Sequence, residues 1–290
     1  MKIGGVLLCG GAGTRLFPTT KYINKHLIPV YDKPMIYYSL SILLLSGIQK
    51  ITIVCNKGES EIFKKLLGDG EELGVELFYT EQDSPKGIPD AISKALEVNS
   101  YEKFLVALGD NFIFGEKFFT RVEDIFNKNL YTTIFSQRVK NPESFGVVET
   151  DSNTNEIISI VEKPDNFISN KAVIGLYIFN SDFVKYFHEI EMSERNEYEI
   201  VDIIKKYKLE NITHNEIGRG TAWFDMGTTE SFYNCSSFVR TIQERQDLLV
   251  CSPHEIAYRN NWISSEVLNK YIKSISGSEY SENLLKIFTD

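Results

Sequence analysis

The sequence predicts a doubly wound α/β fold built on a mostly parallel sheet. Three observations carry this. Near-continuous apolar runs such as Ile3–Cys9 and Phe104–Leu108 read as strands buried on both faces. Helical patterns alternate with these runs through the first half of the chain, as a parallel sheet requires. A glycine loop and a Gly109-Asp110 pair follow the carboxyl ends of two runs, where such folds bind ligands.

The elements follow in order. Ile3–Cys9 opens the sheet. A helix over Pro34–Ser46 places Pro34 in its first turn and Gly47 at its end. Ile51–Cys55 is a strand, and Glu59–Leu67 a helix closed by Gly68. Val75–Tyr79 is a strand, Pro89–Glu97 a helix and Phe104–Leu108 a strand. The middle is more mixed, with strands over Thr132–Arg138, Gly146–Glu149, Ile157–Glu162 and Val173–Phe179 and a polar hairpin tip from Asp151 to Asn155. Ser181–His188 and Tyr198–Lys206 read as helices. Beyond Asp225-Met226-Gly227 the pattern is helical over Thr228–Gln246, Pro253–Tyr258 and Ser264–Ile272. No internal repeat or low-complexity tract interrupts it.

Bulk properties narrow the function classes. A net charge of −9 disfavours a general nucleic-acid surface. The longest apolar run, Leu40 to Leu45, falls far short of a membrane span. Met1-Lys2 leads straight into the first strand and leaves no room for a signal peptide, so a cytoplasmic protein is expected. Cys9, Cys55, Cys235 and Cys251 show no metal or redox spacing, and the first two read as buried thiols.

The stretch Leu8-Cys9-Gly10-Gly11-Ala12-Gly13-Thr14-Arg15-Leu16 carries the most chemistry, with Lys25 following in Asn-Lys-His-Leu-Ile-Pro. It contains no Walker pattern. It also fails the dinucleotide fingerprint, because Leu16 occupies the third glycine position and Pro18 stops a helix. An extended segment running to Pro29 is expected instead. The glycines alone read equally well as a ligand-free βα turn. Arg15 and Lys25 tip the reading toward a polyphosphate cradle.

Further groups sit at strand ends. Asp110 could hold Mg²⁺ beside a triphosphate, or cap a short turn with Asn111. Asp225 could be a second metal ligand, or a cap ahead of Thr228–Gln246. Glu162 and Lys163 stand at a rim where Pro164 stops the ladder. They could bind sugar hydroxyls and a phosphate, or form a solvated ion pair. Arg195 lies on a polar loop and is equally open. The four histidines form no His-x-x-x-His pair, and no Gly-x-Ser-x-Gly elbow exists.

The Leu8–Leu16 string, with Lys25, Leu27, Pro29 and Tyr31-Asp32-Lys33-Pro34-Met35-Ile36-Tyr37-Tyr38, closely resembles the sugar nucleotidyltransferases. Within them it is most similar to the long-form thymidylyltransferases. The resemblance continues through Leu67–Gly70, Gly109–Asn111, Phe145–Glu149, Glu162–Pro164, Gly175–Tyr177, Gly218–Gly220, Trp223–Thr228 and Glu255–Asn260, nearly the whole chain. It implies a Rossmann-like nucleotidyltransferase fold with a mixed-sheet sugar-binding part. The implied reaction joins dTTP and glucose 1-phosphate to give dTDP-glucose and pyrophosphate, with Mg²⁺, for deoxysugar and surface polysaccharide synthesis.

The resemblance also assigns residues. Leu8, Gly10, Gly11, Gly13, Thr14 and Arg15 would hold nucleotide and phosphates, with Gln82 and the backbone at Gly87 reading the pyrimidine edge. Arg15 and Lys25 would offset triphosphate charge, and Asp110 and Asp225 would hold the metal. Lys163 and Arg195 would anchor the sugar phosphate. Glu162 and Gly146 would meet sugar hydroxyls, and Val173 and Trp223 would line that pocket. A regulatory nucleotide site would involve Gly115, Glu255 and Arg259. Residues 1–227 would form the catalytic domain, with its nucleotide part near 1–110 and its sugar part near 111–227. Residues 228–290 would be a helical appendage packed on it, and the assembly a homotetramer.

The chain departs from the family pattern at His26, at Pro89-Asp90, and at Phe114 and Phe145, where tyrosines are usual; Glu116 stands where a histidine is often near. Two other readings therefore stand beside the first. One is the same reaction with UTP, CTP or another phosphorylated substrate. The other is a nucleotide-sensing homologue without catalysis.

Overall fold

The computed structural model describes residues 2–128, 131–151 and 153–288. β1 (Ile3–Cys9) is followed by a short ribbon of β2 (Pro29–Val30) and β3 (Lys33–Pro34), then by α1 (Met35–Leu45). β4 (Lys50–Asn56), α2 (Ser60–Leu67), β5 (Glu76–Gln82), α3 (Ile88–Val98) and β6 (Lys103–Leu108) complete the wound half. Next come β7 (Asn111–Phe114), α4 (Phe118–Lys128), β8 (Thr132–Arg138), β9 (Gly146–Thr150), β10 (Ile157–Glu162) and β11 (Lys171–Asn180). α5 (Asp182–Phe187), α6 (Ile200–Lys206), β12 (Ile212–Glu216) and β13 (Ala222–Asp225) precede the terminal helices. These are α7 (Thr229–Gln246), α8 (Pro253–Arg259), α9 (Ser265–Ser274) and α10 (Glu279–Lys286).

The main sheet runs β10-β9-β11-β6-β1-β4-β5, with β8 on β11 and β12 on β8. β5, β4, β1 and β6 are parallel, as the apolar runs predict. β11 returns antiparallel to β6. The chain winds outward from β1 to β5, then crosses back to β6 on the other side of β1. The carboxyl ends of β1 and β6 therefore flank the point where winding reverses, which opens a crevice.

Both faces of β1 are covered. Leu7 and Cys9 join one core with Ile36 and Leu40 of α1. Val6 and Leu8 join the opposite core with Ala91 and Ile92 of α3. This two-sided burial is why the strand is an unbroken apolar run rather than an alternating one. The terminal helices extend the first core through Ile256, Leu268, Ile272 and Leu284. Helix α7 packs Cys235 and Val239 against Tyr38 and Phe112 in a third cluster. All four cysteines are buried and free. Among the described residues no helix is long and apolar enough to cross a membrane.

The segment after the glycine loop differs from expectation. It is not extended but forms three single 3-10 turns, Thr14–Leu16, Thr19–Lys21 and Lys25–Leu27. Gly13 adopts a left-handed φ of 60° that starts the first turn. Thr20 Oγ1 donates to the Gly13 carbonyl at 2.7 Å, and the Asn24 side chain accepts from His26 N to cap the third turn. Pro34 flanks α1 rather than entering its first turn. The hairpin tip is ordered by Asp151, whose Oδ1 accepts from Asn153 N and Thr154 N at 2.8 and 2.9 Å. Ser152 of that tip, and Met1, lie outside the described residues.

Candidate active site

The crevice at the reversal point is a cleft in two parts. A cavity of about 200 Å³ is lined by Leu8, Gly10, Gly11, Lys25, Gln82 and Ala91, among others. A cavity of about 510 Å³ is lined by Arg15, Gly146, Glu162, Lys163, Trp223 and Asp225, among others. Gly87, Ile88, Leu108 and Asp110 line both, so the parts are continuous.

In the smaller part the glycine loop leaves β1 and is gripped by two asparagines. Gly11 N donates to Asn56 Oδ1 at 2.8 Å, and Asn56 Nδ2 donates back to the Gly11 carbonyl at 3.3 Å. Asn24 Nδ2 donates to the Cys9 carbonyl at 3.0 Å and to Glu59 Oε2 at 2.6 Å. The loop is thus held open by side chains, and Leu8, Ala91 and Leu108 give the cavity apolar walls. Gln82 ends β5, where its Nε2 donates to Asp90 Oδ2 at 2.7 Å and to the Gly87 carbonyl at 3.3 Å. Gly87 has a φ of 95° and lies so close to the Tyr198 carbonyl that a Cβ would collide with it.

At the junction, Asp110 follows β6 and pairs with the Lys25 ammonium. Burial alone would raise the Asp110 pKa, but Lys25 and His26 override it and hold the carboxyl at about 2. The β7–β13 ribbon pairs Asn111 with Asp225 in register, and Met226 N donates to the Asp110 carbonyl at 2.9 Å. This brings Asp225 beside Asp110 across a long stretch of sequence. Burial raises the Asp225 pKa, the Asp110 charge raises it further, and Arg15 and Lys25 oppose both. The Arg15 guanidinium lies over Gly227, where a Cβ would sit 2.7 Å from its Nη2. Neither aspartate is a helix cap. β7 follows Asp110, and Thr228 caps α7 by accepting from Ser231 N.

In the larger part, Glu162 ends β10 opposite Gly146. Lys163 has a φ of 40°, a strained left-handed setting for a lysine, and its N–H donates to the Phe145 carbonyl at 3.0 Å. The two side chains pair at 3.7 Å, with Lys163 half-exposed and Glu162 mostly covered. Arg195 bridges Glu162 at 3.5 Å and Glu199 at 2.8 Å, closing the rim. Burial raises the Glu162 pKa, opposed by Lys163. Trp223 donates its indole N–H to Asn111 Oδ1 and meets Phe145 edge-on, with ring centroids 5.3 Å apart. Val173 completes the wall.

Most of the residues singled out from the sequence therefore converge on one cleft. Gly13 and Thr14 stand behind the loop and line neither part. Glu255 and Arg259 pair with each other at 2.7 Å and line a separate cavity of about 210 Å³ with Tyr31 and Gln243. Gly115, which packs against Thr221, is not among that cavity's lining residues. Asn24, Asn56 and Asn111 were missed; their one signal is a polar amide placed directly at a turn or strand end.

The donors at the junction fit a hard divalent cation. Asp110 and Asp225 offer only oxygens, and their mutual repulsion is relieved in the structure by the Lys25 cation. Among the described residues no group of three or more His, Cys, Asp or Glu forms a closed cage. The two carboxylates are thus a half-shell that ligand oxygens must complete.

Residues 4–242 match the family model described as Nucleotidyl transferase. A glucose-1-phosphate thymidylyltransferase of Neisseria meningitidis is 39% identical over 284 residues, 98% of each chain. One from Mycobacterium tuberculosis is 38% identical, again over 98% of each chain. A solved structure from Bacillus anthracis, provisionally described as a glucose-1-phosphate thymidylyltransferase in complex with a sucrose, superposes with a TM-score of 0.75 at 35% identity, covering 82% of this chain and 95% of that one. A UDP-glucose pyrophosphorylase shares the fold with a TM-score of 0.73 at 23% identity, covering 83% of this chain and 99% of that one. The wound sheet, the glycine loop and the paired aspartates thus sit in a chain that belongs to the nucleotidyl transferase family.

Proposed function

We propose that the cleft transfers a thymidylyl group from dTTP to glucose 1-phosphate, giving dTDP-glucose and pyrophosphate. The observation that carries this reading is the meeting of two cavities at Asp110, with Arg15 and Asp225 lining the larger and Lys25 the smaller. A loop of backbone amides and two cations on one side suits a triphosphate. A rim of Glu162, Lys163 and Arg195 on the other suits a sugar phosphate. The names of the curated relatives suggest the substrates, and a cleft in two parts with cations in each supports that reading.

In this reading the sugar phosphate oxygen forms a bond to the α-phosphorus as the bond to pyrophosphate breaks. The protein provides no nucleophile; alignment and charge neutralisation do the work. The loop at Gly10 and Gly11, fixed by Asn56, holds the nucleotide. Gly13 and Thr14 shape the loop from behind. Arg15 and Lys25 neutralise the triphosphate, and Lys25 leaves Asp110 as ligand oxygens arrive. Lys163 and Arg195 hold the incoming phosphate, Glu162 accepts from sugar hydroxyls, and Val173 and Trp223 shape the sugar pocket. Asp110 and Asp225 would hold Mg²⁺, which supplies Lewis-acid charge stabilisation on phosphate oxygens when bound.

Residues 1–227 form the catalytic unit in this reading, residues 228–290 brace it, and the assembly is a homotetramer, which light scattering tests. A triphosphate substrate places the protein in the cytoplasm. A pyrophosphate-release assay across dTTP, UTP and CTP with several sugar 1-phosphates tests the substrates. Turnover with dTTP and glucose 1-phosphate is expected. Its absence, with turnover of another pair, favours the second reading, to which the hydroxyl-free Phe145 against Trp223 points.

A further inference from the structure

The smaller cavity contains a polar group whose orientation is decided by a neighbour outside the reaction. Gln82 is buried, and both N–H groups of its amide are used: Nε2 donates to Asp90 Oδ2 at 2.7 Å and to the Gly87 carbonyl at 3.3 Å. Turning the amide over would set Oε1 at those same distances from a carboxylate oxygen and a carbonyl oxygen. Three acceptors would then face one another with no proton between them. An ionised carboxylate can only accept, so Asp90 dictates which end of the amide it meets. The opposite end, Oε1, points toward the glycine loop, where a Cβ on Gly10 would lie 3.5 Å from it. Among the described residues no hydrogen-bond donor is recorded for Oε1. It is an acceptor facing a slot whose walls include Leu8, Ala91 and Leu108.

We propose that Asp90, from the first turn of α3, is a positioning residue that locks the Gln82 amide with its oxygen toward the cleft. This selects bases that carry a ring N3–H, thymine or uracil, over cytosine. The inference rests on the reading that this part of the cleft receives the base. Thymine and uracil present N3–H to the fixed oxygen, whereas cytosine presents a bare N3 acceptor there and must shift along its edge to offer the N4 amino group instead. A site built around one hydrogen bond discriminates strongly against the ligand that cannot make it. Asp90 does not itself touch the base in this account.

The test is nucleotide discrimination, read both by binding and by turnover. Calorimetry with dTTP and dCTP, without sugar phosphate, gives affinities that do not depend on catalysis. The wild-type protein is expected to prefer dTTP by about 100-fold. Asp90→Asn is isosteric, and its amide can either accept from Gln82 or donate to it, so the turned orientation regains a partner there and is opposed only by the more distant Gly87 carbonyl. In this variant the preference is expected to fall to within about tenfold, chiefly because dCTP binds more tightly. Asp90→Ala, which leaves the Gly87 carbonyl as sole acceptor, is expected to lie between the two. Thermal unfolding establishes that each variant is folded. Retained discrimination in Asp90→Asn overturns the inference, as does equal binding of dTTP and dCTP by the wild type. Selective dTTP binding without turnover on any sugar phosphate would instead defeat the reaction proposed above and leave the role of Asp90 standing.

Discussion

Three buried imidazoles make the fold acid-sensitive in a way that can be calculated. Burial, with the Lys25 charge, lowers the His26 pKa to about 3. Burial, with Lys171, lowers that of His214 to about 4, and burial alone lowers that of His254 to about 3. The last stacks on Tyr271 with ring centroids 3.4 Å apart, and among the described residues its Nδ1 has no partner. In each case the folded protein resists a proton that the unfolded chain accepts near pH 6.5. The unfolded state therefore binds more protons as pH falls, so stability is full above about 6.5 and is lost below it. At about pH 5.5 each site forfeits about 1.4 kcal/mol, and the three together about 4 kcal/mol. Domains of this kind typically have about 5–15 kcal/mol in total. Glu162 and Asp225, whose carboxyls are raised by burial, gain protons on folding and remove part of this slope. Urea unfolding at about pH 7.5 and 5.5 measures the loss. His254→Phe, which keeps the ring stack, should reduce the loss by about 1.4 kcal/mol. An unchanged pH dependence in that variant would refute the reasoning, because the ring would then titrate in the fold as it does in water.

The site makes further predictions. Asp110→Asn and Asp225→Asn should each lower kcat/KM by about 10³ or more while the protein stays folded, as seen in pyrophosphate release; unchanged turnover would remove both from the metal site. Asn56→Ala deletes both hydrogen bonds to Gly11 and should raise KM for the nucleotide by about tenfold, with kcat less affected. Lys163→Met should raise KM for the sugar phosphate and leave calorimetric nucleotide affinity unchanged. A matched loss of nucleotide affinity would place that lysine wrongly.

What could be read in advance divides along physical lines. β1, β4 and β6 were legible because strands buried on both faces leave unbroken apolar runs. The turns at Thr14–Leu16 and Lys25–Leu27 were not, because they depend on Thr20 and Asn24 reaching back to backbone groups, and a lone polar residue does not announce its partner. Asp110 was visible as a carboxylate at a strand end, but could equally have capped a turn. Only the register of Asn111 with Asp225 removes that ambiguity, and a pairing so distant in sequence has no local signature. The strand-end positions of Asp110 and Asp225 had only offered the latter as a second ligand or a cap, and the resemblance to a family assigned the pair to one metal. The same resemblance grouped Gly115 with Glu255 and Arg259, of which the latter two line a common cavity.

Helix α1 has an implication for how this chain can change over time. Met35 through Leu44 are all buried, so the helix has no face suited to water. The sheet covers one side and α8 packs on another. A chain shortened after Gly227 would uncover Tyr37, which meets His254, Tyr271 and Tyr280 of the terminal helices. A soluble shortened chain would need several of the apolar residues on that side replaced at once, so no single substitution frees the chain from its terminal helices.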